Sequence, residues 1–382
     1  MTAYLDPRSG KTWPLDSPRW CSPDGSPLLL TPLPGIGRDA IDLGDRSVWR
    51  YRAALPFAPA KPISLGEGCT PLLRRRFEDA EVWLKCEWFA PTGSFKDRGA
   101  SVMLSLLRAQ GISHVLEDSS GNGGAAVAAY AAAGGMRATI MTPASTSAAK
   151  TLQMRAYGAE LELIQGTRQH TADAATARGH ARTDGVFYAS HNWHPFFLQG
   201  TKTLAYELWE DLGFRAPENI VTPCGAGSIV LGCEIGFAEL QRIGAIEAPP
   251  RLFAAQPAAC GPIARAFLAG EEEPEPAAVR RTIAEGTAIT RPVRLREVVG
   301  ALQATAGGAV LLEEDEIAAA TLTLAKAGLY VEPTCAQALA AWQRLLRTGA
   351  ITPEQTTVLV LTGTGLKAAS VIERLRTQAA PR

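Results

Sequence analysis

The chain has 382 residues, with 38 Lys+Arg against 38 Asp+Glu and a formal net charge of zero, which excludes a protein that works by non-specific attraction to nucleic acid or to an anionic membrane surface. Hydrophobic residues make up 46% and charged residues 20%, which excludes wholesale disorder. At about 150 residues per domain, the length predicts two domains or one large domain of two lobes.

Residues 1–45 are rich in Pro, Gly and Asp and show little periodicity, so they read as an irregular arm. The opening Met1 to Gly10 has neither the basic nor the apolar region of a secretory signal. No run reaches the roughly 18 apolar residues of a spanning helix. The seven cysteines (21, 69, 86, 224, 233, 260 and 335) are odd in number and form no CxxC pair. A reducing cytoplasmic setting without membrane attachment is therefore expected.

From about Ala100 a regular alternation begins. Val102, Met103, Leu106 and Leu107 have helical spacing over Ser101 to Gln110, and Gly111 ends that helix. Strands are predicted at His114 to Glu117, Arg137 to Thr142, Glu160 to Ile164 and Val186 to Ala189. Helices at Gly124 to Ala133, Ala148 to Tyr157 and Gln169 to Arg182 lie between them. After a loop at 190–200 the alternation resumes, with helices at Lys202 to Leu212 and Ile229 to Ile243, and strands at Asn219 to Pro223 and Arg251 to Ala255. Glu271 to Glu275 is an acidic, Pro-containing loop. The strand Ala309 to Leu312, helices Glu314 to Lys326 and Gln337 to Leu346, strand Thr357 to Leu361 and helix Leu366 to Leu375 complete the pattern. This rhythm means βαβ units: an α/β fold of two lobes, with parallel or mixed sheets flanked by helices.

Four segments carry chemistry. In Pro91-Thr-Gly-Ser-Phe-Lys-Asp-Arg-Gly-Ala100, Lys96 stands near the first turn of a helix, where the helix dipole disfavours a cationic amine. A neutral amine is what binding an aldehyde requires. Asp118-Ser-Ser-Gly-Asn-Gly-Gly-Ala125 lies at the C-terminal end of a predicted parallel strand, where open α/β sheets bind ligands, and its hydroxyls, amide and N–H groups suit a carboxylate or phosphate. Thr222-Pro-Cys-Gly-Ala-Gly-Ser-Ile229 is a second strand, Gly-rich loop and helix, with Ser228 as its expected cap. Val230 takes the place of a third glycine, so it is not GxGxxG. Val358-Leu-Val-Leu-Thr-Gly-Thr-Gly-Leu-Lys367 ends a buried strand on Thr362. Taken singly, each segment also reads as an ordinary charged or capped turn.

Together, and in this order, they resemble the pyridoxal-phosphate enzymes of the tryptophan-synthase-β superfamily (fold type II). Gly66-Glu-Gly-Cys-Thr-Pro-Leu72 and the Leu-Thr-Gly-Thr-Gly-Leu-Lys run resemble the threonine synthases within it. The resemblance implies pyridoxal 5'-phosphate as cofactor and a small amino acid as substrate. Lys96 would join the cofactor's aldehyde and shuttle the α-proton. Asn122 would bond the 3'-oxygen, and Gly225, Ala226, Gly227 and Ser228 would hold the phosphate. Ser119, Ser120, Gly121 and Gly123 would take the substrate carboxylate. Thr362 would face the pyridine nitrogen; a neutral hydroxyl there leaves the nitrogen largely unprotonated and favours elimination of a β-leaving group. It further implies a homodimer, an N-terminal arm at 1–45, a large cofactor lobe at 46–100 with 191–382, and a small mobile lobe at 101–190. The places of a zinc ribbon found in some threonine synthases read Asp6, Ser9, Cys21 and Asp24 here; one thiolate of four predicts no metal.

Threonine synthases also bind the phosphate of O-phosphohomoserine, and two positions resembling that site have changed. A family threonine is Gly123 and a family arginine is Phe197. Losing a hydroxyl and a guanidinium removes charge-assisted bonds worth several kcal/mol together, and Phe196-Phe197 suggests an apolar wall. Lys150, Arg155 and Lys202 read as anion partners or as surface helix charges. Two enzyme readings follow. One is threonine synthase: α-proton loss, γ-elimination of phosphate, then water addition at Cβ. The other is a serine or threonine ammonia-lyase, which the Glu285-Gly-Thr-Ala-Ile289 run resembles. A non-catalytic binding protein of the same fold is the alternative from another class. His191 and His194 flank Asn192 in the 190–200 loop, where polar side chains commonly satisfy backbone groups.

Overall fold

A computed structural model describes residues 2–181, 184–271 and 279–379. The chain divides into two compact units: Met1–Cys69, Ala90–Thr92 and Lys96–Leu204 form the first, and Thr70–Phe89, Gly93–Phe95 and Ala205–Arg382 the second. These bounds differ from the lobe bounds drawn from the sequence. The first seventy or so residues pack as part of the first unit: Tyr4, Trp20, Leu28, Val48, Trp49 and Ile63 share one buried apolar core with Met103, Leu107 and Val127. Polar ties add to it, with the Trp49 indole donating to Ser101 Oγ at 2.9 Å and the Ile63 amide to Ser105 Oγ at 2.7 Å.

The first unit holds a four-stranded, all-parallel sheet in the order Glu160–Ile164, Arg137–Pro143, His114–Glu117, Phe187–Tyr188. Its helices include Lys96–Ala109, Asn122–Ala133, Ala148–Ala156, Arg168–Ala181 and Pro195–Thr201. Asn122–Ala133 is almost entirely Ala and Gly and is buried from Gly123 to Ala131, because small side chains let its backbone approach its neighbours on every side. The segment expected as an irregular arm carries a small antiparallel sheet, Thr12–Pro14, Ala3–Leu5 and Leu29–Leu30. Strands of two or three residues are too short to show a period in sequence.

The second unit holds a six-stranded mixed sheet in the order Gly308–Leu312, Arg251–Pro257, Asn219–Pro223, Thr357–Leu361, Ala80–Cys86, Leu72–Phe77; all pairs are parallel except the last. The antiparallel Leu72–Phe77 edge was not expected from sequence. Its exposed Arg74-Arg75-Arg76 run guards the open edge against further pairing. Apolar residues of Thr357–Leu361, Ala80–Cys86 and Pro333–Arg347 make the core here. The Ser228–Arg242 and Glu314–Lys326 helices form much as their periodicity predicts, the latter with a Glu313/Glu316 capping box. The predicted last helix is a 3-10 turn at Gly365–Ala368 followed by Ala369–Ala379. Arg182 and residues 272–275 of the expected acidic loop lie outside the described residues. Among the described residues no helix is long and apolar enough to cross a membrane.

Two local constraints place the residues of interest in the first unit. Helices Lys96–Ala109 and Pro195–Thr201 touch backbone to backbone: a Cβ built on Gly200 would lie 2.1 Å from the Arg98 carbonyl oxygen. At the end of the strand His114–Glu117, the buried Asp118 carboxylate accepts from Arg168 Nη1 at 2.7 Å, Tyr188 Oη at 2.9 Å and Ser190 Oγ at 3.2 Å. Burial alone would raise its pKa, but Arg168, His191 and these bonds hold it below the ordinary aspartate value.

Two outcomes follow from these contacts. Gly200→Ala must push the helices apart or strain them and should cost about 1–3 kcal/mol, read as a lowered urea midpoint; an unchanged midpoint would show that the helices separate freely. Asp118 stabilises the fold above the ordinary aspartate pKa, and that stability is lost as pH falls through its depressed folded value. Asp118→Asn should therefore flatten the acid limb of a plot of urea midpoint against pH between about 5 and about 2, whereas parallel curves for the two proteins would contradict this.

Candidate active site

In the first unit, Lys96 opens its helix. Next to it, Asp97 accepts from the Thr92 amide at 2.6 Å and from the Thr92 hydroxyl, closing the turn before the helix. Lys96 is half-buried, and its Nζ lies 5.5 Å from the centroid of the Phe197 ring. That ring is fully buried and lies against Gly99, where an added Cβ would come within 2.4 Å of it. Phe196, the other half of the expected apolar wall, turns instead into the core against Tyr4, Phe57 and His194.

The Ser119 to Gly123 segment follows the strand His114–Glu117. Its last two residues already belong to a helix that starts at Asn122, with Gly121 as N-cap. The Ser119 hydroxyl accepts from the Gly121 amide at 3.3 Å. Gly123 is walled by His191: a Cβ there would meet His191 Cε1 and Nδ1 at 2.8 Å and Ser119 Oγ at 3.1 Å. His191 in turn donates its amide to Glu117 Oε2 at 3.0 Å and bonds Glu117 Oε1 through Nδ1 at 2.9 Å. Its ring lies 5.7 Å from that of Phe197. The first unit thus gathers Lys96, Phe197, His191, Glu117, Ser119 and Gly123.

Other charges expected as candidates stand elsewhere. Lys150 and Arg155 are exposed on their helix. Lys202, read as an anion partner or a surface helix charge, is fully buried and donates to the Ala54 carbonyl and to Gln199 Oε1, each at 2.7 Å.

In the second unit, Gly225, Ala226 and Gly227 form the turn before the Ser228–Arg242 helix. Gly227, not Ser228, is the N-cap, with φ +87°, and Ser228 is the first helical residue. A side chain at 227 would be strained by that φ and would meet Val298 Cγ2 at 2.1 Å. The Glu285-Gly-Thr-Ala-Ile289 run packs on this turn: Gly225 has the Gly286 carbonyl 3.2 Å from its Cβ position. The run is held by bonds from the Gly286 amide to Thr334 Oγ1 (3.0 Å) and from Gln337 Nε2 to Thr287 Oγ1 (2.9 Å). At the end of the strand Thr357–Leu361, the backbone pairs Phe95 N with the Thr362 carbonyl and Thr364 N with the Gly93 carbonyl, each at 3.0 Å. The buried hydroxyls of Thr362 and Ser94 have no hydrogen-bond partner among the described residues.

These residues fit pyridoxal phosphate. A 15-residue helix offers its N-terminal amides behind a turn that only glycine fills, and an unpaired buried hydroxyl stands at a strand's C-terminal end, an arrangement that a ligand resolves. Sequence reasoning missed Glu117, Ser94 and the use of His191. An acidic residue ending a buried strand just before the Ser-Ser-Gly-Asn loop was the signal for Glu117. Pairing it with His191 also requires knowing that Phe187–Tyr188 neighbours that strand.

A family model described as pyridoxal-phosphate dependent enzyme matches residues 63–363. The chain is 32% identical over 328 residues to a threonine synthase of Methanocaldococcus jannaschii, covering 84% of this chain and 80% of that one. It is 32% identical over 334 residues to a threonine synthase of Halalkalibacterium halodurans, covering 84% and 90%. Among solved structures, a fungal L-serine ammonia-lyase from Rhizomucor miehei superposes with a TM-score of 0.69 at 22% identity, covering 82% of this chain and 99% of that one. Maize serine racemase superposes with a TM-score of 0.66 at 22% identity, covering 81% and 94%. The fold is therefore fold type II, and the chain belongs to the family of pyridoxal-phosphate dependent enzymes.

Proposed function

We propose that this pyridoxal-phosphate dependent lyase takes the α-proton from a small L-amino acid and eliminates a β- or γ-substituent. The nearest named reaction is that of threonine synthase: O-phosphohomoserine and water to threonine and phosphate. The observation that carries the reading is the grouping of Lys96, the Ser119–Gly123 loop, His191 and Phe197 on one unit, within a chain about 32% identical to proteins named threonine synthase.

When bound, pyridoxal phosphate supplies an electron sink for charge developing at the substrate's Cα. The chain's own residues do the rest. Lys96 holds the cofactor through its amine and moves the α-proton. Asn122 bonds the 3'-oxygen, and Ser119, Ser120, Gly121 and Gly123 take the substrate carboxylate at the start of a helix, where N–H groups favour an anion. In the second unit, Gly225, Ala226, Gly227 and Ser228 hold the cofactor phosphate. Thr362 gives the ring nitrogen a neutral partner. The seven cysteines are free thiols, which agrees with a cytoplasmic enzyme, and the family resemblance extends to a homodimer.

One observation favours the second reading, an ammonia-lyase acting on serine or threonine. Where threonine synthases resemble one another in a phosphate pocket, this chain has the Phe197 ring, a glycine walled by His191, and a Lys202 amine already bonded to Ala54 and Gln199. A neutral side chain suits these surroundings better than a dianion.

Lys96→Ala should abolish the long-wavelength absorption of the bound cofactor and slow α-proton exchange by about 10²–10⁴-fold or more; a retained band would refute the assignment. A substrate panel separates the two readings. Phosphate and threonine formed from O-phospho-L-homoserine identify the synthase. Ammonia and a 2-oxo acid from L-serine or L-threonine, without turnover of the phosphate ester, identify the ammonia-lyase.

A further inference from the structure

We propose that His191 is a catalytic residue of this enzyme: its Nε2 exchanges a proton with the oxygen that joins or leaves Cβ of the substrate, and Glu117 is the positioning residue that holds the ring for that task. The inference rests on the lyase reading above and applies to both of its forms, because hydration and dehydration at Cβ share one transition state in opposite directions.

The geometry is specific. Glu117 is fully buried at the C-terminal end of the strand His114–Glu117, and its two oxygens accept from two groups of one residue, the His191 amide (3.0 Å) and Nδ1 (2.9 Å). A nitrogen that bonds a carboxylate carries the proton, so the ring is held in the Nδ1–H form and Nε2 presents its lone pair. The hydrogen bonds of His191 to described residues run through its amide and its Nδ1, and none runs through Nε2. By contrast, His194, in the same loop, accepts from the Phe196 amide through Nδ1, which places its ring proton on Nε2. The His191 ring stands against Gly123 of the proposed carboxylate loop, whose Cβ position also borders Ser119 Oγ, and against Phe197, the ring that Lys96 also approaches. It therefore borders the groups that would fix the substrate's Cα.

The charges around the ring are Glu117 and Asp118 from the strand and Lys96 from the helix. Burial first, then the Lys96 amine, outweigh the two carboxylates and hold the imidazole below the ordinary histidine value, so it is neutral near pH 7 with Nε2 able to accept. In hydration, an oxygen lone pair of water forms the Cβ–O bond while its proton passes to Nε2. Cα takes back a proton through Lys96, and the transient imidazolium is balanced by Glu117. In dehydration, the α-proton that Lys96 takes from Cα passes on to Nε2, the Cβ–O bond breaks with its electron pair on oxygen, and Nε2 gives that proton to the oxygen, so water leaves and the ring returns to its neutral Nδ1–H form.

The test compares wild-type holoenzyme with His191→Asn, which can keep a donor toward Glu117 but has no Nε2, and with Glu117→Gln as the second variant. For O-phospho-L-homoserine, phosphate leaves without needing this proton. Phosphate release should persist in His191→Asn, while the ratio of threonine to 2-oxobutanoate falls by about 10²-fold. For L-serine or L-threonine, oxo-acid formation should fall by about 10²-fold, while β-chloro-L-alanine, whose chloride leaves unprotonated, retains its rate. Glu117→Gln should show the same selectivity in weaker form, with a displaced pH profile. Histidine ¹⁵N NMR of the wild-type holoenzyme should show His191 as the Nδ1–H tautomer. Equal losses with every substrate in both variants, or an Nε2–H tautomer, would overturn the proposal. Wild-type turnover of β-chloro-L-alanine alone would also overturn it while sparing the lyase reading; turnover of none of these substrates would remove both.

Discussion

The backbone contact at Gly200 is the constraint on which the first unit's chemistry rests. Helix Pro195–Thr201 can reach the Arg98 carbonyl only because residue 200 lacks a Cβ, and residue 99 must also be bare to admit the Phe197 ring. Two glycines, one on each helix, set the depth to which that ring enters. The depth in turn sets what lies beside the half-buried Lys96 amine, the face of an aromatic ring. An amine on an apolar, aromatic surface pays a desolvation cost as a cation that the ring only partly offsets. The same packing that stabilises the fold therefore decides what the Lys96 amine faces.

Buried carboxylates are costly unless each oxygen is answered, and the end of the strand His114–Glu117 carries two in succession. Asp118 is answered by Arg168, Tyr188 and Ser190, and Glu117 by the amide and ring of His191. The first set is cationic and phenolic and locks the strand end to the rest of its sheet. The second ends in an imidazole whose far nitrogen makes no hydrogen bond among the described residues. The last residue of the strand and the one that follows it thus serve different ends, because each carboxylate meets its own set of donors. The anionic character of this region also bears on specificity. A phosphate dianion brought beside Glu117 would require a compensating cation, and Lys202, the nearest candidate in sequence to Phe197, is committed elsewhere.

The parallel sheets were legible because most of their strands are short, largely buried apolar runs between helices, while Glu160–Ile164 shows an alternating pattern. His114–Glu117, Glu160–Ile164, Asn219–Pro223 and Thr357–Leu361 lie where the pattern places them. Leu72–Phe77 was not legible. Three consecutive arginines on an edge strand break the alternation by which a half-buried strand is recognised. Helix Pro195–Thr201 escaped because seven residues of mixed character carry too few turns to show a period. The glycine turn and Thr362 were visible as motifs, since their requirements are local: a positive φ, a strand end, a helix start. His191 and Glu117 were not, because 74 residues separate them and only the strand order brings them together.

The two unpaired hydroxyls of the second unit close the physical argument. A buried polar group without a partner costs about 1–3 kcal/mol, and Ser94 and Thr362 both carry this burden on paired stretches of backbone. Nothing in the packing requires hydroxyls there; alanine and valine would fill the same volumes without the penalty. Such a cost persists when another species removes it, and under the proposed function a ring nitrogen that accepts a hydrogen bond would remove it for Thr362. Binding and stability are then linked, because a ligand that satisfies a group only in the folded state adds its binding free energy to folding. A ligand bound at the second unit would offset this deficit, and the position of Thr362, at the C-terminal end of a central parallel strand, is where ligands bind in open α/β sheets.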